Sequence, residues 1–69
     1  MLKLGNRGPA VVALQKTMRR YDPTLGADGR FGRHTKRTVR LAQRGLSVFP
    51  IDGIVGPRTF AAIAAAEKK

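Results

Sequence analysis

An all-α fold, a small bundle of three helices, is what this sequence predicts, and three observations predict it. The chain has 69 residues and no cysteine, so it has neither the length for a large core nor a disulfide to replace one. Three segments carry apolar residues at helical spacing, two of them opened by a proline. A short motif occurs twice, as Asp28-Gly29-Arg30-Phe31-Gly32-Arg33-His34-Thr35 and as Asp52-Gly53-Ile54-Val55-Gly56-Pro57-Arg58-Thr59. The shared pattern is D-G-x-(apolar)-G-x-x-T. Asp28 and Asp52 can accept nearby backbone N–H groups, and Gly29 and Gly53 can take a positive φ. The apolar residue pins the turn to the core, and Gly32 and Gly56 free the backbone before a helix. Each copy therefore reads as a tight turn, an anchor and a helix start, placing equivalent Asp-Gly turns ahead of helices 2 and 3. The chain reads as one domain, 1–69.

The elements follow in order. Leu2 and Leu4 alternate with Lys3, and Gly5 to Gly8 form a loop. Pro9 suits the first helical position, where its missing N–H costs nothing, and opens a helix to about Tyr21. Val11, Leu14, Gln15, Met18 and Tyr21 share one face of it. Gln15 is the polar member, expected to bond loop backbone from a semi-buried seat. Asp22-Pro23 stops the helix. The second helix is expected from about Arg33 to Arg44, ended by Gly45, with Thr35, Thr38, Val39 and Ala42 facing inward. Leu46, Val48, Phe49 and Ile51 form an apolar connector with minimal strand content. The third helix runs from Pro57 to about Ala66, and Glu67-Lys68-Lys69 is a polar end expected to fray. The predicted core is Val11, Leu14, Met18, Phe31, Val39, Leu46, Ile54, Phe60 and Ile63.

Charge is the strongest compositional signal: 14 Lys plus Arg against 4 Asp plus Glu, a formal +10. Such a surface attracts polyanions, and nucleic acid, anionic lipid and anionic wall polymers all qualify. Arg33, Arg37, Arg40 and Arg44 recur at i, i+4, i+7 and i+11, a single electrostatic stripe along helix 2. Like charges at these spacings cost roughly 0.2–0.5 kcal/mol per pair, which a polyanionic partner would offset. Catalytic constellations are missing. Asp28 and Asp52 sit in equivalent turns and read as structural acceptors, not as a carboxylate pair across a bond. His34 is the sole histidine and there is no cysteine, so no metal set forms. Ser47, the only serine, has no base beside it. No catalytic residue, metal or cofactor is expected. No apolar run reaches the length of a membrane span, and residues 1–7 lack a signal-peptide core.

The run Leu2-Lys3-Leu4-Gly5-Asn6-Arg7-Gly8-Pro9-Ala10-Val11-Val12-Ala13-Leu14-Gln15 resembles the opening of the peptidoglycan-binding domain family, the three-helix module of bacterial and phage cell-wall hydrolases. Asp28 to Gly32, the Thr35, Val39, Gln43 spacing, and Asp52 to Phe60 resemble its remaining signatures in register, so the likeness covers nearly the whole chain. Ala42 stands where the family usually has a large aromatic or apolar residue, so either Leu41 or Phe49 is expected to fill that volume or the core is expected to be looser there. Phe60 stands where Trp is common, and Arg33 replaces a frequent Pro. The resemblance implies a non-catalytic, monomeric module that binds peptidoglycan at the cell wall or in the periplasm. Such a module tethers a lytic or remodelling enzyme, as in a phage lysin. The expected ligand contacts are Arg30, Phe31, Ile54 and Arg58, bordering a groove beside the turns. Arg33, Arg37, Arg40 and Arg44 would add attraction to anionic wall polymers or outer-membrane lipids. The alternative is a basic three-helix nucleic-acid-binding domain with the stripe against phosphates.

Overall fold

The computed structural model describes residues 1–67; Lys68 and Lys69 lie outside the described residues. Helix α1 spans Pro9–Met18, α2 spans Arg33–Gly45 and α3 spans Pro57–Glu67, with no strand among the described residues. Pro9 and Pro57 each open a helix, as their fixed φ and missing donor favour. α3 extends to Glu67, one residue past the expected Ala66.

Two helix ends differ from expectation. α1 stops at Met18, three residues before Tyr21, because the N–H groups of Tyr21 and Asp22 both close onto the Met18 carbonyl, at 2.9 and 3.1 Å. α2 runs through Gly45, one residue past the expected Arg44, and Gly45 is not its left-handed cap. The cap is a Schellman motif centred two residues on: Ser47 takes φ 55, its N–H bonds the Arg44 carbonyl at 3.2 Å, and Val48 N–H reaches back to Gln43 at 2.8 Å. Val48 is buried, the apolar contact that accompanies this cap.

The core takes Val11, Leu14 and Met18 from α1, Val39 and Ala42 from α2, and Ile63 from α3. Leu25, Phe31 and Val55 reach it from the loops, and Leu46 packs half-buried against it. Two expected core residues are corrected. Ile54 is half-buried while its neighbour Val55 is fully buried, since Val55, three positions after Asp52, occupies the place that Phe31 occupies after Asp28. Phe60 is 45% exposed: α3 turns Thr59 and Ile63 inward, and the helical step of one residue carries Phe60 off that row. Leu41 and Phe49 are 47% and 61% exposed, so neither fills the volume beside Ala42.

The N-terminal segment ties the loops together. Leu2 exchanges both backbone hydrogen bonds with Val55, at 3.0 and 2.8 Å. Gly5 N–H donates to the Phe31 carbonyl and Phe31 N–H to the Asn6 carbonyl, both at 2.9 Å. One extended stretch thus pairs with the apolar anchor of each turn, and it brings Arg7 opposite Arg30 in an isolated antiparallel bridge.

Candidate functional site

Each Asp-Gly turn is built around a buried glutamine. Gln15, on the inner face of α1, accepts the Gly29 N–H on its Oε1 at 2.8 Å. Its Nε2 faces Asp28 Oδ1 at 3.0 Å, the Arg30 carbonyl at 2.9 Å and Thr35 Oγ1 at 3.0 Å, sharing two hydrogens among three acceptors. Arg30 N–H donates to Asp28 Oδ1 at 2.9 Å. The same five contacts recur around Gln43 of α2: Gly53 N–H at 3.0 Å, Asp52 Oδ1 at 3.1 Å, the Ile54 carbonyl at 3.0 Å, Thr59 Oγ1 at 3.2 Å, and Ile54 N–H to Asp52 at 2.9 Å. Both glutamines are 1% exposed. Among the described residues no buried side-chain N or O atom lacks a partner, so neither amide is free to meet a ligand.

The carboxylates accept these bonds in their ionised form. The Arg30 N–H, then the Gln15 amide, hold Asp28 below the usual carboxylate range. The Ile54 N–H does the same for Asp52, opposed by partial burial and aided by the Gln43 amide. A third carboxylate fastens the loop after α1. Asp22 Oδ1 accepts the Thr24 hydroxyl at 2.6 Å and its N–H at 3.0 Å, while Oδ2 meets His34 Nε2 at 2.8 Å. The Thr24 hydroxyl first, then His34, lower Asp22 to about 2.

The first glycine of each motif is demanded by the backbone. Gly29 and Gly53 sit at φ 80 and φ 75. A Cβ at Gly53 would meet Lys36 Cγ at 2.6 Å and Arg40 Cγ at 3.3 Å; one at Gly29 would meet Val12 Cγ2 at 3.1 Å. The second glycine is not so constrained. Gly32 is extended at φ −98 with open space around it, and Gly56 would place a Cβ in ordinary contact with Met1. The expectation that Gly32 and Gly56 free the backbone is therefore corrected.

The four residues expected to border a groove are dispersed. Arg30 is exposed and lines two hollows: one of about 220 Å³ with Gly5, Asn6, Arg7, Phe31 and Gly32, the other of about 310 Å³ beside Leu25, Arg33 and His34. Phe31 is 2% exposed, so its side chain belongs to the core and borders the first hollow only from beneath. Ile54 and Arg58 line neither hollow, and Arg58 Nη1 rests on the Phe49 carbonyl at 3.3 Å. The two motifs also map differently onto each other than their charges suggest: Ile54 is the counterpart of Arg30, and Arg58 the counterpart of His34. Arg33, Arg37, Arg40 and Arg44 are all exposed on α2, opposite its buried Thr35, Thr38, Val39 and Ala42.

Two features escaped sequence reasoning. Arg7 reaches Arg30 through a long-range backbone pairing that has no local signature. An apolar groove of about 310 Å³ lies between α1 and α3, lined by Leu2, Ala10, Ala13, Leu14, Thr17, Phe60, Ile63, Ala64 and Glu67; the run of alanines and the exposed Phe60 were its only linear trace. Among the described residues no group of three His, Cys, Asp or Glu residues clusters to hold a metal, and no helix is long and apolar enough to cross a membrane.

Compared with known families, residues 7–63 match the model described as "Putative peptidoglycan binding domain". The chain belongs to this family. No curated protein and no solved structure matches it. The matched span of this peptidoglycan-binding domain opens at Arg7, the residue bridged to Arg30, and closes at Ile63, the last core residue of α3. It therefore includes both glutamine-centred turns and the whole arginine row. Peptidoglycan is the partner that membership assigns, in a binding role associated with the cell wall.

Proposed function

We propose that this peptidoglycan-binding domain tethers a cell-wall lytic or remodelling enzyme to its insoluble substrate, with a phage lysin as the natural parent. Tethering raises the local concentration of a catalytic domain without altering its chemistry. The contact surface runs along the Asp-Gly turns. Its centre is the hollow carrying Arg7 and Arg30, with Phe31 as its floor; Ile54 and Arg58, outside that hollow, supply a separate contact on the second turn. One observation carries this placement: the antiparallel bridge sets two exposed guanidinium side chains on the rim of one concave surface. Two such forks suit the carboxylates of a stem peptide, because a guanidinium donates two parallel hydrogen bonds to a carboxylate. The site of action is the cell wall or the periplasm, and the chain works as a monomer.

Amide chemical-shift mapping with soluble peptidoglycan fragments tests the placement. Shifts are expected at Gly5, Asn6, Arg7, Arg30 and Gly32. Shifts confined to Ala13, Phe60 and Ala64 would move the site to the α1–α3 groove. The nucleic-acid reading keeps one supporting observation, the unpaired arginine row. It predicts binding that collapses with salt, at a log–log slope of about −0.9 per neutralised phosphate.

A further inference from the structure

Arg33, Arg37, Arg40 and Arg44 do nothing for the fold that a neutral side chain would not do. All four are exposed. Arg20 and Arg58 each rest a guanidinium on a carbonyl, whereas no arginine side chain of the row has a hydrogen bond or ion pair among the described residues. The row also has a cost. α2 contains no acidic residue, its first turn has no side-chain cap, and it begins with Arg33, so the first charge of the row sits at the positive end of the helix dipole. The spacing repels along the whole length.

We propose that this row is a second binding site, separate from the turn groove, for a linear phosphodiester polymer attached to the wall. This rests on the wall-binding reading above. The geometry is that of a track. At a rise of about 1.5 Å per residue, the four Cα positions span about 16 Å in a line one residue wide. Two shallow hollows lie along it, one of about 290 Å³ between Arg33, His34 and Arg37, the next of about 200 Å³ between Arg37, Arg40, Leu41 and Arg44. They share Arg37, so successive phosphates of one chain can each sit between guanidinium groups, the fork geometry that phosphate oxygens accept bidentately. A flat lipid surface would call for a plane of charge, not a line. Nucleic acid would use a second determinant that the row lacks. No Phe, Tyr or Trp interleaves with the arginines to stack bases, His34 is held by Asp22 at 2.8 Å, and Gln43, the one amide of α2, is buried and occupied. The track is also held in place: the Lys36 and Arg40 stems lie over Gly53.

The test compares two preparations of the same sacculi, one retaining its phosphodiester-linked polymer and one stripped of it by hydrofluoric acid, across a salt series. Arg37→Gln/Arg40→Gln keeps the Cγ that packs on Gly53 and removes two charges. The wild type is expected to bind the polymer-bearing sacculi more tightly at low salt. In the variant that advantage should fall away, with a log–log salt slope shallower by about 1 per arginine, or about 100-fold over a tenfold rise in salt. Arg37→Lys/Arg40→Lys should recover most of the slope. Both proteins should bind stripped sacculi equally. Equal wild-type binding to the two preparations, or a variant that loses equally on both, overturns the proposal. So does a duplex oligonucleotide that displaces the protein at a lower phosphate concentration than the released polymer. Failure of every protein on stripped sacculi would instead count against the groove; a wild-type advantage on intact sacculi would still support the row.

Discussion

Replacing Gln15 with Leu removes the centre of the first turn while keeping roughly its volume. Two buried groups lose their partner: the Gly29 N–H, which donates to Gln15 Oε1 at 2.8 Å, and Thr35 Oγ1, which faces Nε2 at 3.0 Å. Asp28 and Arg30 lie at the surface and regain water. Orphaning a buried polar group costs about 1–3 kcal/mol, so the two together cost about 2–6 kcal/mol. A domain of this size holds about 3–5 kcal/mol in total. Gln15→Leu should therefore lose about half or more of its stability at 25 °C, judged by helical circular dichroism and by the urea midpoint. Gln15→Glu separates geometry from burial. It keeps the acceptor for Gly29 but sets a carboxylate oxygen against Asp28 Oδ1 and the Arg30 carbonyl. It should be unstable at neutral pH and regain stability as acid protonates the new side chain. A Gln15→Leu protein within 1 kcal/mol of wild type would refute the reasoning, because the turn would then stand without its centre.

Other outcomes follow from the same structure. Asp22 is lowered from 3.8 to about 2 in the fold, so the unfolded chain binds more protons between those values. Stability should be fully present above about pH 4 and fall as pH drops towards 2, with Asp28 and Asp52 acting in the same direction; an Asp22→Asn urea series with an unchanged acid slope would contradict this. Gly53→Ala should cost about 1–2 kcal/mol from its left-handed backbone alone. Gly45→Ala, in α2 with open space around it, should stabilise by about 0.5–1 kcal/mol; thermal melts of the pair would show whether the signs are opposite. Arg30→Gln and Arg58→Gln should weaken sacculus binding at low and high salt alike, and a loss confined to low salt would mean these arginines serve only long-range attraction.

Local chemistry made the helices legible. Pro9 and Pro57 mark starts by what their rings forbid, and the period of 3.6 placed Val11, Leu14, Gln15 and Met18 on one buried face. Gln15 was readable because a polar side chain on an apolar face must find partners. Gln43 plays the same part, but it was picked out only through the Thr35, Val39, Gln43 spacing of the family resemblance and not as the centre of a turn. The end of α2 was placed within one residue, but its cap was assigned to the wrong residue, because glycine is not the only residue that reaches a positive φ: Ser47 does so, with Val48 buried behind it. Phe60 was assigned to the core by size, whereas a helix lined with Ala can turn its one aromatic outward. The bridge joining Arg7 to Arg30 depends on chain reversal through the whole of α1, which no local pattern encodes. The arginine row was placed correctly by periodicity, but periodicity names no partner.

The central claim is that this domain holds peptidoglycan through a site that is not merely electrostatic. Sedimentation with sacculi freed of protein, nucleic acid and phosphate polymers measures it most directly, with soluble fragments assayed in parallel. The account predicts saturable co-sedimentation that persists near 0.5 M salt, where screening is short-ranged, and no release of fragments. Protein that stays in the supernatant once salt is raised, or that liberates wall fragments, would contradict it.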